Sequence, residues 1–125
     1  MKPRAKIRAM CNMGDCPTLM LNAPVPAAKK VLEKAGLSIA DIDLFEINEA
    51  FSAVALAAMK SLEIPHDKVN VHGGAVALGH PIGASGSRTL VTLINAMETH
   101  DAKIGIDALC IGGGEAVAMA VERVS

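Results

Sequence analysis

Five glycines crowd into the sixteen residues Gly73-Gly74-Ala75-Val76-Ala77-Leu78-Gly79-His80-Pro81-Ile82-Gly83-Ala84-Ser85-Gly86-Ser87-Arg88. Glycine loses the most backbone freedom on folding, so this density implies tight turns or a backbone that must approach something closely. The His80-Pro81 pair at its centre puts an imidazole on a stiffened, non-helical backbone. The stretch reads as a loop that aims one side chain, with an amphipathic run after it.

The chain around it is read as one domain of 125 residues, 51% hydrophobic but only 2% aromatic, with no Trp or Tyr. Its core must therefore be built from Ala, Val, Leu, Ile and Met. Twelve basic residues against 13 acidic ones give a net charge of -1, with no block of either sign, so nothing resembles a nucleic-acid footprint. No apolar run has the length of a membrane span, and Met1-Lys2-Pro3-Arg4-Ala5-Lys6 lacks the apolar core of a signal peptide. Three irregularly spaced cysteines point away from a disulfide framework, and a cytoplasmic location is expected.

Residues 4–12 partly alternate basic and apolar and predict a first strand. Pro26 suits the first turn of a helix that carries Val25, Ala28, Val31, Leu32 and Ala35 at helical spacing and stops at Gly36. Ser38 and Asp41 predict a single capped turn, and Ile42 to Ile47 a buried strand. Asn48 and Glu49 open a helix through about Leu62 that is apolar on nearly every side and so predicts burial all round, beneath a covering partner. Val69-Asn70-Val71 is a short extended piece. A helix with the stripe Leu90, Val91, Leu93, Ile94, Met97 runs from Ser85 to about His100. Residues 106–111 and 116–121 form a hairpin closed by Gly112-Gly113-Gly114-Glu115. The order predicts an α/β layered domain whose helices pack on a mixed sheet of five strands.

Three polar residues stand at element ends, where α/β sheets collect their chemistry: Asn48, His80 and Cys110. Read from the residues alone, His80 is either a general base or a turn histidine. Cys110 is either a proton shuttle or an inert strand cysteine, with the Gly112 N–H a possible oxyanion donor. Asn48 either holds a ligand or caps a helix. The glycine loop fits neither a phosphate-binding Walker pattern nor a dinucleotide fingerprint. Ser85 lacks the Gly that a serine-hydrolase elbow requires at position 87. Cys11 and Cys16 with His66, His72 and His100 have the wrong spacing for zinc, and no metal is expected.

Three blocks together resemble the C-terminal domain of the thiolases, the acetyl-CoA acetyltransferase and acyl-CoA thiolase family. Asn48-Glu49-Ala50-Phe51 resembles its NEAF block, Gly73 to Arg88 its GGA-x-A-x-GHP-x-G-x-SG-x-R block, and Cys110 to Gly114 its C-x-GGG block. The separations, 32 residues from Asn48 to His80 and 30 more to Cys110, also agree. The resemblance implies carbon–carbon bond making or breaking between two acyl units through an acyl-cysteine. It makes Cys110 the acid/base at the α-carbon and His80 the group that activates the nucleophilic cysteine. It also implies that His80, with a water held by Asn48, stabilises the thioester enolate, and that the Gly112 N–H donates in an oxyanion hole. Phe51 and Met20 match positions lining the acyl pocket.

Two departures stand out. Neither Cys11 nor Cys16 sits in the C-x-SG-like setting of the family's nucleophile, which lies in an N-terminal domain. The family's M-G-x-GP turn reads Met20-Leu21-Asn22-Ala23-Pro24. The chain is thus expected to be a C-terminal catalytic half, inactive alone and completed by an N-terminal half in a homo- or hetero-oligomer. Coenzyme A thioesters are its expected substrates, with no further cofactor. The alternative is a non-catalytic acyl-CoA-binding or assembly module on the same fold.

Overall fold

The structure, a computed structural model, describes residues 1–124. Four strands form one sheet in the order β1 (Ala5–Gly14), β4 (Glu115–Arg123), β3 (Ile104–Ile111), β2 (Leu44–Ile47). β1 and β3 both pair antiparallel with β4, whereas β2 lies parallel to β3, so the sheet is mixed as its element order predicts. The expected five-strand sheet is corrected to four. Val69 makes one parallel bridge to Phe45 and the pairing stops there. The cause is Asn70, which takes a positive φ of 50° and turns the chain away from the ladder.

α1 (Pro24–Ala35) and α2 (Ser52–Leu62) cover one face of the sheet. α1 begins on Pro24, where a missing N–H costs no helical bond, and ends at Gly36 in the left-handed region. Its Val25, Ala28, Val31 and Leu32 join Phe45, Ile47, Ile106 and Ala108 in the main core. Asp41 accepts from both the N–H and the hydroxyl of Ser38, closing the short 3-10 turn Ile39–Asp41.

α3 (Ala75–Leu78) is a single turn inside the glycine run, and α4 (Ser85–Thr99) covers β2 and β3 on the opposite face. α4 buries Thr89, Leu93, Ala96 and Met97, a stripe rotated from the predicted one, and Val91 stays exposed. A Cβ on Gly105 would lie 2.8 Å from the Met97 sulfur, so this glycine lets α4 settle onto β3.

The prediction for α2 is corrected at its start, and within this chain the helix is buried on one side only. The helix starts at Ser52, leaving Asn48 to Phe51 non-helical, and it buries only Val54, Ala55, Ala58 and Leu62. Leu56 is exposed on its far side. Alanine-rich sequence makes a helix apolar all round, but only one narrow stripe has chain to pack against. Among the described residues no helix is long and apolar enough to cross a membrane.

Candidate active site

Parallel pairing of β2 with β3 brings Ile47 beside Ala108, and the Asn48 N–H donates to the Ala108 carbonyl at 3.0 Å. Asn48 thus leaves the carboxyl end of β2, while Cys110 lies two residues farther along β3. Asn48 is fully buried and is no helix cap, because α2 begins four residues later. The Asn70 side chain continues the ladder: its Oδ1 accepts from the Ile47 N–H at 2.8 Å and its Nδ2 donates to the Ile47 carbonyl at 2.9 Å. Asn70 also donates to Glu49 at 3.2 Å.

Glu49 ties this strand end to the glycine run, accepting the Val76 N–H at 2.9 Å. Gly74 lies against the Glu49 carboxylate, where a Cβ would collide with it. Gly79, at φ 91°, ends α3 in a conformation that L side chains rarely adopt and delivers the chain to His80. Pro81 then accepts the N–H groups of Ala84 and Ser85, turning the chain into α4.

His80 is exposed yet held at both ring nitrogens. Its Nε2 faces the Asn48 Nδ2 at 3.4 Å, and its Nδ1 faces the Ser85 Oγ at 2.5 Å. Asn48 in turn accepts from Arg88 Nη2 at 3.2 Å, and Arg88 Nη1 donates to Glu46 at 2.8 Å. Glu46 and Asp107 are register partners on β2 and β3, both almost fully buried. Burial pushes the Glu46 carboxyl up to about 7 against the pull of Arg88, and burial likewise pushes Asp107 up to about 7.

Cys110 is half-buried, and burial pushes its thiol up, so the sulfur keeps its proton through the neutral range. Such a group suits proton donation better than nucleophilic attack. The turn after it places Gly113 and Gly114 at positive φ, while Gly112 has open space around its α-carbon. Gly114 abuts the Pro17 backbone, and its carbonyl accepts the Asp15 N–H at 2.7 Å. This contact docks the 3-10 stretch Pro17–Asn22, which carries half-buried Met20, against the turn. Phe51 stands at the N-cap of α2 and is 64% exposed.

The fold therefore brings Asn48 and His80 into contact and sets Cys110, Gly112 and Met20 around one turn. His80 and Cys110 share no hydrogen bond among the described residues. Sequence reasoning missed Ser85, Arg88, Glu46, Glu49 and Asn70 as supports. The available signal was Glu46, a lone acid in the apolar run Leu44-Phe45-Glu46-Ile47, since a charge buried in a strand demands a partner. Among the described residues no three His, Cys, Asp or Glu side chains gather as metal ligands, although the His72 and His100 rings lie 5.3 Å apart.

The family description "Thiolase, C-terminal domain" matches residues 1–123. The acetyl-CoA acetyltransferase of Escherichia coli K12 is 54% identical over 123 residues, covering 98% of this chain and 31% of that protein. A 3-ketoacyl-CoA thiolase of Colwellia psychrerythraea is 55% identical over 124 residues, covering 98% of this chain and 32% of that one. The crystal structure of the Bacillus anthracis acetyl-CoA acetyltransferase superposes with a TM-score of 0.96 at 44% identity, over 99% of this chain and 32% of that chain. The chain thus spans about a third of the length of these relatives. By sequence, by fold and by the three blocks that build its site, the chain belongs to the thiolase C-terminal domain family.

Proposed function

We propose that this chain is the C-terminal catalytic part of a thiolase, transferring acyl groups between acyl-CoA and acetyl-CoA. The observation that carries the reading is the Asn48–His80 contact at the carboxyl end of β2, with a neutral thiol at Cys110 on the neighbouring strand. In the cleavage direction a cysteine of an N-terminal half, its proton taken by His80, attacks the 3-keto carbonyl of the substrate. The bond between the α- and β-carbons breaks, and its electron pair leaves as the enolate of acetyl-CoA. Cys110 gives that carbanion a proton, and coenzyme A then takes the acyl group from the cysteine sulfur. His80 and a water held by Asn48 offset the enolate charge where it develops, and the Gly112 N–H serves the tetrahedral intermediate. Phe51 and Met20 line the acyl pocket.

On this reading the chain needs no cofactor beyond its coenzyme A thioesters, is inactive alone, and assembles with an N-terminal half in an oligomer. An open surface supports that partnership. On the α4 side of the sheet, parts of β1 and β4 around Met10 and Val117 stay open, leaving an apolar groove bounded by Met10, Leu90, Leu109, Val117 and Met119. The three free thiols accord with a reducing compartment such as the cytoplasm.

The test reconstitutes the chain with an N-terminal half carrying the nucleophilic cysteine and measures thiolysis of acetoacetyl-CoA. Replacing Cys110→Ala should lower turnover about 10³-fold, the range of a lost general acid. Unchanged turnover would instead favour a binding module.

A further inference from the structure

Arginine carries only hydrogen-bond donors, an asparagine amide carries a donor end and an acceptor end, and a neutral imidazole carries one of each. These rules set a direction on the chain of contacts behind His80. Arg88 Nη2, 3.2 Å from Asn48, can face only the Oδ1 end of the amide. The Nδ2 end is therefore turned to His80 Nε2 at 3.4 Å, which must accept. The imidazole proton then resides on Nδ1 and is donated to Ser85 Oγ at 2.5 Å. Ser85 passes its own proton to the Pro81 carbonyl at 3.1 Å. Each contact along the path from Glu46 to Pro81 thus pairs a donor with an acceptor, Arg88 Nε lying buried without a partner beside it, and reversing Asn48 would set an NH₂ against a guanidinium.

We propose that Arg88, anchored by Glu46, is a positioning residue that fixes the direction of the Asn48 amide and thereby keeps the Nε2 of His80 unprotonated in the resting site. The inference deepens the thiolase reading and rests on it for the roles of Asn48 and His80. The anchor is specific. Glu46 is 2% exposed and holds Nη1 at 2.8 Å, so the guanidinium has one bond to its anchor and one to Asn48. A lysine ammonium keeps the charge but lacks the planar fork that spans both acceptors. The Arg88 side chain does not reach the imidazole itself, so its influence on the reaction passes through Asn48.

The experiment uses the enzyme reconstituted with its N-terminal half. Arg88→Lys should lower kcat about 10²-fold, the cost of misplacing a reacting group, with KM changed less than about twofold. In an Asn48→Ala background the same replacement should lower kcat by less than about twofold, because the amide it directs is gone. Selective ¹⁵N labelling of histidine should show His80 protonated on Nδ1 in the parent and shifted toward the Nε2–H tautomer in Arg88→Lys. A merely structural role would lower kcat equally in both backgrounds and leave the tautomer alone. Either result overturns the proposal. Glu46→Gln, measured in the same two backgrounds, carries the comparison if Arg88→Lys does not melt cooperatively, with a loss of about tenfold expected in the parent alone. Should the parent lack thiolysis, or Asn48→Ala leave it unchanged, the thiolase reading falls. The tautomer, which needs no turnover to observe, then still decides the role of Arg88.

Discussion

Glu46 holds the Arg88 guanidinium and Asp107 lies beside Glu46 on the adjacent strand, and burial pushes both carboxyls up to about 7. A carboxyl in this position binds its proton more tightly folded than unfolded. Between the ordinary carboxylate range near pH 4 and about pH 7, the folded chain thus holds protons that the unfolded chain has released. The stability these groups contribute is full below that range, falls as pH climbs through it, and levels off above about 7. Urea midpoints taken from pH 4.5 to 8 should decline more steeply for the parent than for Asp107→Asn, which removes one of the two groups. Parallel curves would show that Asp107 titrates as an ordinary carboxylate. The arrangement has a reason at the site. Keeping Arg88 dry strengthens its bond to Asn48, and a dry guanidinium needs a buried acid beside it.

The two glycine-rich elements divide along the same lines of strain and space. Gly114 combines φ 84° with an α-carbon facing the Pro17 backbone, where a Cβ would sit 2.7 Å away. Gly112, two residues earlier, has neither constraint. Gly114→Ala should therefore destabilise the chain by about 3 kcal/mol, from left-handed strain together with overpacking. Gly112→Ala should stay within about 0.5 kcal/mol. Thermal melts of the two variants decide it, and equal melting points would mean that the turn gives way rather than holds. Sequence could reveal that both stretches were special but not which glycine served what. The Cys110–Gly114 block and His80 were legible because local patterns mark turns and the side chains they aim. Glu49 against Gly74, and Asn70 against Ile47, were not legible. These bonds span 21 to 27 residues and exist only once β2, α3 and the bridge at Val69 are in place. The start of α2 was misread for a related reason. Asn48 and Glu49 make good helix-opening letters, yet tertiary partners on β3 and at Asn70 claim them first.

At the scale of the whole molecule, the sheet is covered unequally. α1 and α2 cover one face, while α4 shields β2, β3 and the Val121 end of β4 on the other. Met10 is 59% exposed and Val117 38% exposed on the open part, beside the groove under α4. Apolar surface of this kind on a domain spanning about a third of its relatives fits docking of the remaining chain. A charge placed there separates folding from assembly. Val117→Lys points outward from β4, so the stability of the chain, read from urea unfolding, should change by no more than a surface substitution allows, about 0.5 kcal/mol. Its apparent affinity for the N-terminal half, read as the concentration of that half needed to restore thiolysis, should weaken at least about tenfold, since docking would bury an unpaired ammonium. Undiminished complementation would mean that the N-terminal half docks elsewhere. The same titration tests the chain's own chemistry. Cys16 is exposed, and the Leu19 N–H pulls its thiol below the ordinary range, which makes it the cysteine in this chain most open to acylation. Mass spectrometry after incubation with acetyl-CoA should find the acyl group on the N-terminal half alone. A stable acetyl adduct on Cys16 that turns over with coenzyme A would place the nucleophile within this chain and remove the need for a second half.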